Sequence, residues 1–192
     1  MRDVSTNSVL LVDDDASIRA LLARHLERAG FEAQQAGDGI DGLAKLRDNL
    51  PAVIISDLDM PRMTGIEFMS VVRRRFPSIS IIAYSGSIAG EFPAEAKPDL
   101  WFEKSAQKIP ELLQAVHALA QETPDRADFP QVISTPVRTR PGGAGCFVLT
   151  CTDCLRLFQV ISTPENQTEE QSAVCVHCEA RVPYVIESSQ PA

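Results

Sequence analysis

Asp13, Asp14 and Asp15 stand in a row directly after the apolar run Val9 to Val12, and Asp57 follows shortly after another run, Val53 to Ile55. Alone, such acids read as a solvated turn or a helix cap. Two further polar residues stand just past apolar runs in the same way: Ser85 after Ile79 to Tyr84, and Lys104 after Leu100 to Phe102. If these runs are strands of a doubly wound sheet, their carboxyl ends open onto the crevice where such folds bind ligands. Clustered acids in that crevice need a cation. Mg2+ suits them, because it takes one or two carboxylates and fills its other octahedral positions with water and phosphate oxygens.

A second set of candidate ligands is made of sulfur. Cys151 and Cys154 form one CxxC and Cys175 and Cys178 another, with twenty residues between them. Two such turns can each present two thiolates and together complete a tetrahedron around zinc. All five cysteines lie beyond residue 145, and the first residues lack the basic patch and apolar run of a signal peptide. The expected setting is therefore a reducing cytoplasm, where thiols bind metal more readily than they pair as disulfides. A disulfide pair or a redox CxxC are the competing readings, although the latter asks for a strand-helix-strand context that the flanks do not offer. Cys146 is expected as a buried free thiol, and His177 as an exposed turn residue rather than a ligand, since four thiolates fill a structural site.

The elements that would position these groups can be read from periodicity. The apolar runs, with a weaker one at Phe31 to Ala36, alternate with helical stripes: Ile18, Leu21, Leu22, Leu26 and Ala29; Ile40, Leu43 and Leu46; Ile66, Met69 and Val72; Leu112, Leu113, Val116 and Leu119. That alternation predicts an α/β fold, a five-stranded doubly wound parallel sheet, and the nearly unbroken hydrophobicity of the runs suits strands buried on both faces. Gly90, Pro93 and Pro98 leave little room for a helix between Gly86 and Leu100, so that helix is expected to be short or irregular.

Residues 122–145 combine Pro, Gly and Thr without periodicity and read as a linker. Beyond them, CFVLT, LRLFQVI and RVPYVIE look strand-like and suggest a small β zinc-ribbon-like domain over 146–192. That segment has few large apolar side chains, so zinc would act as its staple. The hexapeptide QVISTP occurs at 131–136 and again at 159–164, two similar strand-then-turn segments with no role assigned.

Together, VDDD, SDLDMPRMTG, AYSG and WFEKS at successive strand ends make residues 8–121 resemble the receiver domain of two-component response regulators. The resemblance implies a flavodoxin-like domain over 1–121 in which Asp57 is the phosphoacceptor. Asp13, Asp14, Asp57 and the Asp59 backbone carbonyl would hold Mg2+, and Ser85 and Lys104 would contact the phosphoryl group. Trp101 takes the place of the switch aromatic. It also implies a phosphorelay role, with a sensor histidine kinase or phosphotransfer protein as donor, and no enzymatic activity beyond self-catalysed phosphoryl transfer and autodephosphorylation. The chain departs from the family at Ser105, where Pro is usual, and in the shortened fourth-helix region, so dimerisation through that face is not carried over.

The formal charge of −8 argues against broad binding to nucleic-acid phosphates. Residues 146–192 hold Arg156 and Arg181 against six acids, and no stretch approaches a membrane span. The output module is therefore expected to contact a protein, with Phe147, Phe158 and Tyr184 as candidate anchors and at least one of them partly exposed. The alternatives are a DNA-binding transcriptional regulator using the zinc ribbon and a thiol-disulfide redox protein.

Overall fold

Each of the five apolar runs becomes a strand. In the computed structural model, which describes residues 5–86, 92–121, 137–139, 146–161 and 171–186, the chain divides into two units, Met1–Gln131 and Val132–Ala192. In the first, β1 (Ser5–Val12), β2 (Glu32–Ala36), β3 (Pro51–Ser56), β4 (Ser80–Ser85) and β5 (Leu100–Glu103) form one parallel sheet in the order β2-β1-β3-β4-β5. Four helices connect or follow them: α1 (Ala16–Arg28), α2 (Gly39–Asp48), α3 (Gly65–Arg75) and α4 (Ile109–Gln121). The central strands β3 and β4 are buried at every position, which is why they read as continuous apolar runs. The edge strands β2 and β5 are half exposed and correspondingly weaker as signals.

Local chemistry sets the helix ends. The Asp15 carboxylate caps α1 by accepting from the Ser17 and Ile18 amides, and those bonds hold its pKa below the usual carboxylate range. Gly30, at φ 91°, turns the chain out of α1 in the left-handed region. Thr64 and Glu67 close a reciprocal capping box on α3. Along α1, Leu22 and Leu26 are buried, but Leu21, expected on the inner face, is 42% exposed. It lies too far round the helix to share the stripe of its neighbours.

Between β4 and β5 the described residues contain only a 3-10 turn, Ala94–Ala96, and residues 87–91 lie outside the description. The buried Arg73 of α3 holds this stretch. Its guanidinium donates to Lys97 O at 2.9 Å and Ile79 O at 3.0 Å, and pairs with Asp99 at 2.8 Å.

The regular elements described in the second unit are all strands: β6 (Val137–Thr139), β7 (Cys146–Thr150), β8 (Leu157–Ile161), β9 (Gln171–Val174) and β10 (Arg181–Ile186). β7 and β8 pair as an antiparallel hairpin, and β6, β10 and β9 form a second sheet in that order. Three expectations change here. A strand, β6, lies inside the range read as linker, because Val-Arg-Thr, too short to show periodicity, finds a partner edge in β10. Phe147, Phe158 and Tyr184 are all buried, at 1%, 4% and 2% exposure, because a unit this small needs every aromatic for its own core. Cys146 is half-buried rather than buried. The first QVISTP copy lies outside the described residues, as do residues 162–164 of the second, whose Gln159 to Ile161 belong to β8. No helix among the described residues is long and apolar enough to cross a membrane.

Candidate functional site

The strand order reverses at β1, which has β2 on one side and β3 on the other, and the acids emerge from β1 and β3 at that switch point. Asp57 N donates to Val12 O at 2.8 Å, locking the two strand ends together. Carboxylate oxygens of Asp13, Asp14 and Asp57 all lie within 4.8 Å of one another. An octahedral Mg2+ about 2 Å from each donor needs neighbours about 3 to 4 Å apart, so these hard oxygen donors fit the ion with small adjustments. Asp13 and Asp57 are buried and Asp14 is exposed, which leaves one side of the cluster open to water and ligand.

Lys104 reaches into the cluster from beyond β5. Its Nζ stands 2.8 Å from Oδ2 of both Asp13 and Asp57, hydrogen-bonding the latter. Burial alone would lower the pKa of this ammonium, but its bonds to Asp13 and Asp57 outweigh that and raise it. Burial pushes the Asp13 carboxyl up despite Lys104 and the Asp15 amide. Asp57 Oδ1 accepts from its neighbour's amide, Leu58 N, at 2.7 Å, so the carboxylate is held at both oxygens.

Ser85 lies at the end of β4, beside Lys104, whose amide donates to Ser85 O at 2.9 Å. Its side chain is buried, yet Oγ has no hydrogen-bond partner among the described residues. A buried hydroxyl left without a partner costs free energy that a ligand oxygen could recover. Trp101, half-buried on β5 opposite Ala83, stands three residues before Lys104. Asp59 is exposed, two residues beyond Asp57. In the Ser105 position, the side chain caps the turn Ala106–Lys108 through Gln107 N.

α3 starts directly against the acceptor. A Cβ on Gly65 would come within 1.9 Å of Asp57 O, so only glycine admits this approach. Two basic residues near the site carry no sequence signal. Arg19, on the first turn of α1, donates to Asp13 O. Arg62, at φ 67° in the loop after β3, pairs with the buried Asp38 that caps α2. Neither partnership is visible before the chain folds.

In the second unit the four predicted cysteines converge. Cys151, Cys154, Cys175 and Cys178 offer sulfurs within 4.8 Å of one another, and the cross pairs Cys151–Cys178 and Cys154–Cys175 stand 3.6 and 3.7 Å apart. A tetrahedron with Zn–S bonds of about 2.3 Å has edges of about 3.8 Å, so the set fits zinc, and all four thiols are free rather than joined as disulfides. The two turns repeat each other: Cys151 N donates to Arg156 O and Leu155 N to Cys151 O, as Cys175 N does to Ala180 O and Glu179 N to Cys175 O. Leu155 and Glu179, at φ 58° and 62°, take the same left-handed position. Backbone amides point at the sulfurs, Asp153 N at Cys151 Sγ and His177 N at Cys175 Sγ, both at 3.4 Å. Burial pushes the Cys151 thiol up to about 12. For Cys175 burial acts in the same direction, but the His177 and Cys178 amides and the neighbouring thiols bring it down to about 7. His177 is exposed in its turn, with Nε2 3.0 Å from Leu157 O. Among the described residues of this unit there is no helix of the kind a thioredoxin-type CxxC requires.

Residues 9–97 match the model of the response regulator receiver domain. CheY4, the chemotaxis response regulator of Vibrio cholerae, is 34% identical; the match covers 58% of this chain and 99% of that one, with a TM-score of 0.53. TrrA of Thermotoga maritima, solved in complex with Mg2+ and BeF, is 28% identical over 59% of this chain and 98% of its own, with a TM-score of 0.55. Protein-glutamate methylesterase/protein-glutamine glutaminase 1 of Anaeromyxobacter dehalogenans is 32% identical over 56% of this chain and 35% of its own length. The chain spans about a third of the length of the curated relatives it matches. Through its first unit, the chain belongs to the response regulator receiver domain family.

Proposed function

We propose that the chain is a response regulator of a two-component phosphorelay, phosphorylated on Asp57 by a histidine kinase or phosphotransfer protein, with a zinc-bearing C-terminal module as its output. In this reading residues 1–121 are the receiver, and 146–192 the module, which contacts another protein. The observation that carries it is the meeting of Asp57, Asp13, Lys104 and the unpartnered Ser85 hydroxyl at one strand-end crevice.

A carboxylate oxygen of Asp57 attacks phosphorus, the P–N bond of a phosphohistidine breaks, and the imidazole leaves with its electron pair. Bound Mg2+, held by Asp13, Asp14, Asp57 and the Asp59 carbonyl, supplies charge neutralisation on the transferring oxygens. The Leu58 amide holds Asp57 Oδ1, and Lys104 turns its ammonium from the carboxylate to a phosphoryl oxygen. Ser85 gains the acceptor it lacks. The added charge, about −1.5 to −2, draws the Ser85 strand end inward, and Trp101 on the adjoining strand follows. In the module, zinc on Cys151, Cys154, Cys175 and Cys178 serves as a structural tie between the two turns.

Labelling with a small phosphodonor and Mg2+ tests the reading: wild-type protein should take up one acid- and base-labile phosphate, and Asp57→Asn none. Undiminished labelling of that variant places the acceptor elsewhere.

A further inference from the structure

The loop from β3 to α3 carries the Asp59 carbonyl and is anchored at both ends. Near the acceptor, Leu58 N donates to Asp57 Oδ1 at 2.7 Å and Leu58 O accepts from Gly65 N at 2.9 Å. The far part leans on the start of α2. Arg62 pairs with Asp38, the N-cap of that helix. Met63 lies so close to Gly39, the first residue of α2, that a Cβ there would come within 2.6 Å of the Met63 side chain. The stretch Asp59 to Pro61 hangs between these anchors.

Two features set the Arg62–Asp38 bond apart from an ordinary surface pair. Asp38 is 3% exposed, with Oδ1 accepting from the Asp41 amide at 2.9 Å and Oδ2 from Arg62. Exposed pairs contribute little, but a buried carboxylate stripped of its cation is costly, so this bond resists opening although Arg62 itself faces solvent. Arg62 also stands at φ 67°, in the left-handed region that residues with a Cβ enter at a cost. Strain of that kind persists where its surroundings over-determine it, and it collects at functional sites. Glycine takes such an angle freely and would serve here if the turn alone mattered.

We propose that Arg62 and Asp38 are a positioning pair for the divalent cation: their bond holds the loop that presents the Asp59 carbonyl to the ion on Asp13, Asp14 and Asp57. This rests on the reading of the acid cluster as a Mg2+ site with that carbonyl among its ligands. Residues that orient a metal ligand from behind typically set affinity by about tenfold or more.

The probe is Mn2+, which takes the same oxygen ligands as Mg2+ and is counted free in solution by its EPR signal, titrated against the full chain. R62A and R62G both break the bond, and only R62A keeps the left-handed strain, so R62A should be the less stable of the two in urea melts. Both should bind Mn2+ about tenfold less tightly than wild type. D38N keeps an oxygen for the Asp41 amide and should lose affinity to the same extent. D38N/R62G should lose no more than either single change, because one bond is broken in all three. R62K, which keeps the cation, should keep most of the affinity. In phosphorylation by a small phosphodonor, the half-saturating Mg2+ of R62G should rise by the same factor, with a smaller change in the saturated rate.

Wild-type affinity in R62G or D38N, a double variant whose loss is the product of the single losses, or R62K as weak as R62G overturns the pair. Affinity that follows stability, clearly lower in R62A than in R62G, makes Arg62 a structural residue and overturns it too. Mn2+ binding that Asp13→Asn leaves unchanged, or none in wild type, overturns instead the Mg2+ reading beneath it.

Discussion

The two candidate sites hold their ligating groups by opposite means. The acids of the first unit sit at the ends of strands whose core, built from Val9, Leu11, Val53, Ile55, Ile82 and the inner faces of α1 and α4, excludes them. The cysteines of the second unit are part of its core: Cys151 and Cys175 are fully buried among Phe147, Leu149, Phe158, Val182 and Tyr184. Buried acids crowd like charge and cost the fold stability, which is the usual condition of a site that waits for a ligand. Buried thiols that converge on one point would leave the core unfilled there without an ion to join them. The same ligating geometry is therefore an expense in one unit and a foundation in the other.

The comparison breaks first at the metal. Chelation, or Cys151→Ser, should abolish the structure of the second unit, since structural zinc contributes on the order of 10 kcal/mol to such folds, and leave the first unit intact. Limited proteolysis followed by mass spectrometry reads this directly; a second unit that stays protected without zinc contradicts the role assigned to the cysteines. Next, Arg73→Ala should destabilise the first unit by about 3 kcal/mol in urea melts, because it strips Asp99 and two carbonyls of their buried partner. Zinc content should not move, and a change there would mean that the two units are not independent.

Gly65→Ala should cost about 2 to 3 kcal/mol and slow phosphorylation, since the new methyl meets the Asp57 carbonyl and displaces the acceptor. Full phosphorylation rate in a folded G65A protein would show that α3 does not position Asp57. The smallest effect has the opposite sign. Asp13→Asn removes a charge that burial disfavours and should raise the stability of the first unit by about 1 kcal/mol without Mg2+, while Mg2+ affinity falls. A destabilised Asp13→Asn protein would show that the pairing with Lys104 outweighs the cost of burial.

How much of this was legible in the sequence follows from what each feature depends on. β1, β3 and β4 announce themselves because burial on both faces requires apolar side chains throughout, and the cysteine set because its spacing is local. β9, Gln-Ser-Ala-Val, is held by backbone pairing to β10 and has no side-chain signature. The Asp38–Arg62 and Arg73–Asp99 pairs join residues 24 and 26 positions apart, and only the packing of α3 brings them together. Phe147, Phe158 and Tyr184 show the limit from the other side: aromatic residues on short strands serve equally as anchors or as core, and the size of the unit decides for core.

Native mass spectrometry of the intact chain, incubated with Mg2+ and a small phosphodonor, tests the central claim most directly because it counts both sites in one spectrum. The account predicts a species carrying one zinc and one phosphoryl group, with the phosphoryl group lost and the zinc kept in Asp57→Asn. A spectrum without zinc, or one in which Asp57→Asn is still phosphorylated, would contradict it.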